Sequence, residues 1–293
     1  MIIKMQILKQ VKQISLTGNT EFVVSPVSDI NINTVPISEL KDLHKIMMGP
    51  HVVLALMALE ASGFFNVIIP EIKQAIDLKK SNLQFKKIWP HTLQVINQTP
   101  PNLLLRWAAL FHDLGKVKTI FIKNGKLTFH GHEHVSANIF NDFTKKVPIF
   151  NTYQKDTIYF LIYNLDHIEN YKKEWSDSGV RRFYYEMGDN LNLLIELSKA
   201  DITTGNPKTK TKILNRITNL EQRILSLQEA ELNKPVLPKG IGTKISEEFN
   251  IPLGPKLGEI KKLLEINISN NILNNKESID YYILWLKNNW KEN

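Results

Sequence analysis

A histidine and an aspartate stand side by side at the end of a strongly apolar stretch, Leu103-Leu104-Leu105-Arg106-Trp107-Ala108-Ala109-Leu110-Phe111-His112-Asp113-Leu114-Gly115-Lys116. A run apolar nearly all round belongs to a helix buried at the centre of a domain. Carrying an ionised Asp113 into that interior costs several kcal/mol unless a partner of opposite charge goes with it. A divalent cation is such a partner. Other residues with ligating side chains recur along the chain: His91 in Trp-Pro-His-Thr-Leu, His132 in Phe-His-Gly-His-Glu-His, His167 in Tyr-Asn-Leu-Asp-His-Ile, and Asp201 in Ser-Lys-Ala-Asp-Ile-Thr-Thr. His130 and His134 flank His132, so the third ligand is one of three histidines. Imidazole nitrogen with carboxylate oxygen suits Mn, Ni, Co, Fe, Mg or Zn. The chain has no cysteine, which excludes thiolate sites, Fe–S clusters and disulfides. A cation held this way lowers the pKa of water and polarises an oxygen of a bound substrate. Lys116, one turn past the pair, is placed to offset negative charge on that substrate, and Glu133 to orient ligands or move protons.

The elements that must position these residues read as mostly helical. Leu40, Leu43, Ile46 and Met47 mark one helix face, Gly49-Pro50 ends it, and Val52 to Ala61 forms a second helix. Helices are expected at 88–98 and at 103–113, the latter with His112 and Asp113 as its last residues. Thr119 to Phe129, with Asn124-Gly125 between two short apolar runs, is expected to form a β-hairpin. Helices resume near His132, at 153–166, 178–187 and 190–202. Asn206-Pro207 starts a long helix whose Ile213, Ile217, Leu220, Ile224 and Leu227 form a packing seam. Pro235 and Pro238 end it, and shorter helices follow, the last near 276–290. Residues 1–35 read as short strands or loop.

The 293 residues, 43% hydrophobic and 23% charged, are enough for a sizeable core. The formal charge of +8 favours polyanionic partners. No apolar run reaches the roughly 18–20 residues of a bilayer span. Met1 to Gln6 opens no signal peptide, so a cytoplasmic protein without a membrane partner is expected.

The order His, His-Asp, His, His, Asp resembles the HD phosphohydrolase superfamily. That resemblance implies one ion held by His91, His112, Asp113 and Asp201, and a second by Asp113, His132 and His167. Met48-Gly49-Pro50-His51, Ala58 to Phe64, Leu105 to Lys116, Thr128 to Glu133, Asp177 to Phe183, Ala200 to Pro207 and Ile251 to Ile260 are similar to bacterial CCA-adding tRNA nucleotidyltransferases. The similarity covers their neck, HD and tail regions, roughly residues 36–290. It implies a mainly α protein: an N-terminal segment 1–35, a helical neck 36–80, an HD helical bundle 81–206 with a hairpin insertion, and a helical tail 207–293. The family's catalytic head has no counterpart, since Asp-x-Asp is absent, so nucleotide addition by this chain alone is not expected. What the resemblance implies is a metal-dependent phosphodiesterase acting on RNA, at tRNA 3′ ends or 2′,3′-cyclic phosphates. Arg181, Arg182, Lys208, Lys210 and Lys212 would then be RNA contacts. Two alternatives stand beside it. One is a non-catalytic tRNA-binding subunit partnered by a separate nucleotidyltransferase, and the other is a hydrolase of small nucleotides.

Overall fold

A computed structural model describes residues 6–21, 31–78, 88–123, 126–232 and 236–290. Among these the chain is mainly α-helical, with one two-stranded sheet. The helices are α1 (Gln6–Thr17), α2 (Ile37–Leu40), α3 (Asp42–Met48), α4 (Val52–Ala61), α5 (Phe64–Ile68), α6 (Pro70–Leu78), α7 (Ile88–Gln98) and α8 (Leu103–Phe111). After the hairpin β1 (Phe121–Lys123) and β2 (Lys126–Thr128) come α9 (His132–Lys146), α10 (Thr152–Glu169), α11 (Asp177–Met187), α12 (Leu191–Ala200) and α13 (Pro207–Leu232). The chain continues with α14 (Ile241–Phe249), α15 (Pro255–Ser269) and α16 (Ile279–Asn289). No described helix is long and apolar enough to cross a membrane.

The chain divides into two compact units, residues 1–224 and 225–293, with the division inside α13. The first is organised around α8. Asn102 caps α8 by accepting hydrogen bonds from the Leu104 and Leu105 amides, satisfying two of its first free donors. Leu105 to Phe111 are all buried. α7, α3, α10 and α12 pack against this helix, and α9 packs on α10. One polar residue is buried with them: Arg106 Nη1 donates to the carbonyls of Met47 (2.6 Å) and Gly49 (2.9 Å), tying α8 to the end of α3. Trp107 Nε1 donates to His44 Nδ1 at 3.1 Å, while His44 Nε2 donates to the Ile149 carbonyl. In the second unit Ile241, Ile245, Leu257, Leu264, Tyr282 and Leu286 form a separate core.

Two expectations change. Gln6–Thr17 is a helix, not strand or loop: Ile7, Leu8, Val11 and Ile14 are buried at helical spacing, and α1 packs on α3 and α4. Gly49 is required there, because a Cβ would overlap Ser15. Helix α8 stops at Phe111. His112 is its C-cap and Asp113 begins a 3-10 turn, Leu114–Val117, so the pair leaves the helix instead of continuing it. Asn206 does cap α13, accepting from the Lys208 and Thr209 amides. The hairpin forms with Ile122 opposite Leu127. Its Asn124-Gly125 turn lies outside the described residues, as do Pro235 and the 80/81 boundary.

Candidate metal centre

His91, His112 and Asp201 converge where the ends of α7, α8 and α12 meet, with the Asp113 carboxylate beside the two histidines. His91 Nε2 lies 2.9 Å from Asp201 Oδ1, 3.2 Å from His112 Nε2 and 3.4 Å from Asp113 Oδ2. His112 Nε2 is 3.3 Å from Asp201 Oδ1 and 3.6 Å from Asp113 Oδ1. Ligands about 2.1 Å from one ion and at right angles to each other stand about 3.0 Å apart, so the spacing fits a shared cation.

The protons support the same conclusion. His112 Nδ1 is 2.8 Å from the Ala109 carbonyl, which can only accept, so Nδ1 carries the hydrogen and Nε2 presents its lone pair to the cluster. Asp201 Oδ1 is buried and has no hydrogen-bond donor of suitable geometry. Lone pairs this close repel unless a positive charge sits among them. Without an ion, that charge must be a proton. Burial lowers the His112 pKa, but the Asp113 and Asp201 carboxylates outweigh it and raise it to about 9. Burial raises both carboxylates, yet His112 above all holds them below the usual carboxylate range. A divalent ion is the stronger form of the same neutralisation, and the donor set fits one.

The surroundings hold these ligands in place. His91 Nδ1 pairs with Thr203 Oγ1 at 2.9 Å. Gln98, the last residue of α7, donates to the Ala200 and Ile202 carbonyls on either side of Asp201. Partners of this kind fix a ligand's rotamer and tautomer.

The second ligand group is built on Gly115. A Cβ there would overlap the His132 carbonyl and lie 2.7 Å from the Ser136 amide. The missing side chain lets the turn after Asp113 press against the start of α9, where Ser136 Oγ accepts from the Gly115 amide. His132 Nε2 thereby comes within 3.5 Å of Asp113 Oδ1. His132 Nδ1 donates to the Phe129 carbonyl. His132, Glu133 and Asp166 offer atoms close enough to share an ion. Of the three neighbouring histidines, His130 and His134 are exposed, and His134 stacks edge-on with Tyr163. Lys116 Nζ sits 2.6 Å from Asp113 Oδ1 and 5.9 Å from the Phe129 ring centre.

His167 is not brought to this group. It is exposed and lines a separate cleft with Trp175, Arg182 and Phe183. Neighbouring helical residues point about 100° apart, so only one of Asp166 and His167 can face α9. Asp166 does, and its pKa is raised, first by burial. The residues missed from sequence are thus Asp166, Gly115, Gln98 and Thr203. A signal for Asp166 existed: it follows buried Ile162 by four residues, whereas His167 lies about 180° from Ile158. Among the expected RNA contacts, Lys208 and Lys212 line a cleft beside α13, Arg182 lines the His167 cleft, Lys210 is exposed and Arg181 is half-buried.

Comparison with known proteins agrees with this geometry. Residues 91–204 match the family model described as HD domain, a segment that begins at His91 and ends just after Thr203. The chain is also similar to the A-adding tRNA nucleotidyltransferase of Deinococcus radiodurans, 23% identical over 233 residues. That match covers 76% of this chain and 52% of the relative, so the chain spans about half of the protein it matches. His91, His112, Asp113 and Asp201 all lie within the segment that matches the HD domain, and His91, His112 and Asp201 form a group able to hold a metal ion.

Proposed function

We propose that this HD domain hydrolyses phosphodiesters, with RNA, tRNA in the first instance, as its substrate. The observation that carries the hydrolytic reading is the approach of His91 and His112 to each other and to the Asp113 and Asp201 carboxylates, at 2.9–3.6 Å. A divalent cation bound there would acidify water and withdraw charge from a phosphoryl oxygen. The chain's own groups do the rest. His91, His112, Asp113 and Asp201 would hold the ion. Lys116 places an ammonium beside Asp113, where it can neutralise a phosphate oxygen. Glu133 and Asp166 are carboxylates within reach of His132, and Asp166, with its raised pKa, is the better suited to pass a proton to a leaving oxygen. The RNA reading is supported by the net charge of +8 and by a relative whose name specifies tRNA.

The test is turnover by the metal-reconstituted chain on 2′,3′-cyclic nucleotides, an activated phosphodiester and nucleoside triphosphates. The His112→Ala/Asp113→Ala variant is the control. Diester hydrolysis that needs both metal and the His-Asp pair is expected. Turnover of triphosphates alone would favour a small-nucleotide hydrolase. tRNA binding without any turnover would favour a binding subunit that works with a separate nucleotidyltransferase.

A further inference from the structure

A large cleft lies outside the ligand cluster. It has a volume of about 1110 Å³ and lies between the segment after α10 and the first half of α13. Lys172, Lys173, Lys208, Lys212 and Arg216 line it, with Glu174 as the one acidic residue. Not one of the five cations has an ion-pair partner among the described residues. The lysines are exposed, but Arg216 is half-buried, and its Nε is sealed from solvent without an acceptor. By contrast the neighbouring cations are fully engaged. Arg223 donates to the Lys173 and Trp175 carbonyls and to Asp177, and Lys199 pairs with Glu221. Tyr171, the cleft's aromatic residue, has its hydroxyl committed to Asn219. The second wall is therefore a rigid loop clamped to α13, with positive charge left over on the side facing the cleft.

Position joins this cleft to the ligand cluster. Asp201 is a ligand, Thr203 holds His91, and Pro207, four residues on, is already a lining residue of the cleft. Glu169 feels the Asp201 carboxylate and the Arg216 guanidinium together, so the two sites are electrostatic neighbours.

We infer that the cleft is the track for the phosphate backbone of an RNA strand whose scissile phosphate lies at the HD cluster. Five cations spread along one open cleft match a run of backbone phosphates better than the single phosphate of a mononucleotide. Lysine, arginine and the side chains of Thr209, Thr211 and Asn215 suit phosphate and sugar contacts, and no free aromatic face is offered to a base. Recognition is by backbone charge, without sequence preference. The inference rests on the RNA reading above and adds Lys172, Lys173 and Arg216 to the expected contacts.

The test measures binding of a fluorescein-labelled 20-nucleotide RNA to the full chain by anisotropy, across salt concentrations. It compares wild type, Lys208→Glu/Lys212→Glu and Lys172→Glu/Lys173→Glu. All four positions are exposed, so charge reversal leaves the fold intact. Each double variant should bind at least about tenfold more weakly, and the slope of log affinity against log salt should flatten by about 0.7 per lost contact. Unchanged affinity and slope in both variants would overturn the cleft assignment. So would displacement of the RNA by polyglutamate as effectively as by unlabelled RNA, which would point to an acidic polypeptide. The His112→Ala/Asp113→Ala variant separates this inference from the proposed activity. RNA binding that survives in it, in a protein that hydrolyses nothing, would leave the cleft standing and remove the hydrolase. Diester turnover with RNA binding indifferent to both double variants would do the reverse.

Discussion

Two groups of ligating side chains share Asp113, and they are built differently. On one side are His91, His112 and Asp201, with side chains 12%, 2% and 16% exposed. They come from the ends of three helices that pack around one core, and their outer atoms are held by Ala109, Thr203 and the Gln98-bound segment. On the other side are His132, Glu133 and Asp166, on the rim of α9 and along α10, where a lysine ammonium already lies on the Asp113 oxygen that faces them. With no ion bound, the first group takes its positive charge from a proton on His112. The second has its cation supplied by the chain. The difference teaches that similar ligand types need not make equal sites: burial and the nearest fixed charge decide which one demands an ion.

The largest effect expected from this contrast is on metal affinity. Asp201→Ala should weaken binding of Mn²⁺ by more than about 100-fold, beyond the range caused by losing an outer partner. Asp166→Ala should cost far less. Isothermal titration of both variants checks this, and equal losses would erase the distinction between the groups. Next in size is the support of the first group. Thr203→Val or Gln98→Ala leaves every ligand present but frees its orientation, and a loss of about 10–100-fold in metal affinity is expected.

Gly115→Ala probes the second group through packing. The new methyl must push the start of α9 away, at about 1–3 kcal/mol. It should lower Tm and catalytic rate while the first group still binds its ion. Full loss of metal binding would show that the groups are not separable.

A pH series sharpens the comparison further. In EDTA, the protonated His112 stabilises the fold because its pKa is raised from 6.5 to about 9. That stabilisation is complete below about pH 6.5 and is lost as pH rises through about 9. Thermal melts of the metal-free protein should therefore fall across that window, and saturating metal should remove the fall, since the ion replaces the proton. A pH-independent metal-free Tm between 6.5 and 9 would contradict the account of the cluster. The smallest effect belongs to His167→Ala, which should leave metal affinity unchanged, because that side chain lines another cleft.

Much of this was legible in the residues. The apolar run before His112 identifies a central helix because burial on all sides leaves no polar face, and the Asn206-Pro207 start of α13 follows from capping chemistry. Less was legible where a single rotation or a close approach decides. Asp166 and His167 are neighbours in sequence, and composition alone favours the histidine as ligand. Only the phase of the buried stripe at Ile158, Ile162 and Leu165 turns the aspartate inward. Gly115 looks like a helix stop, yet its use is to admit the His132 backbone. Arg106 reads as an interruption of an apolar helix, and its task, gripping two carbonyls at the end of α3, depends on residues nearly sixty positions away. α1, by contrast, was legible and was missed: Ile7, Leu8, Val11 and Ile14 stand at helical spacing.

The most direct test of the central claim is a crystal grown with Mn²⁺ and measured for anomalous scattering. An anomalous peak bonded to His91 Nε2, His112 Nε2, Asp113 and Asp201 Oδ1 is the expected result. A peak held by His132, Glu133 and Asp166 with the first group empty, or no peak at saturating Mn²⁺, would contradict it.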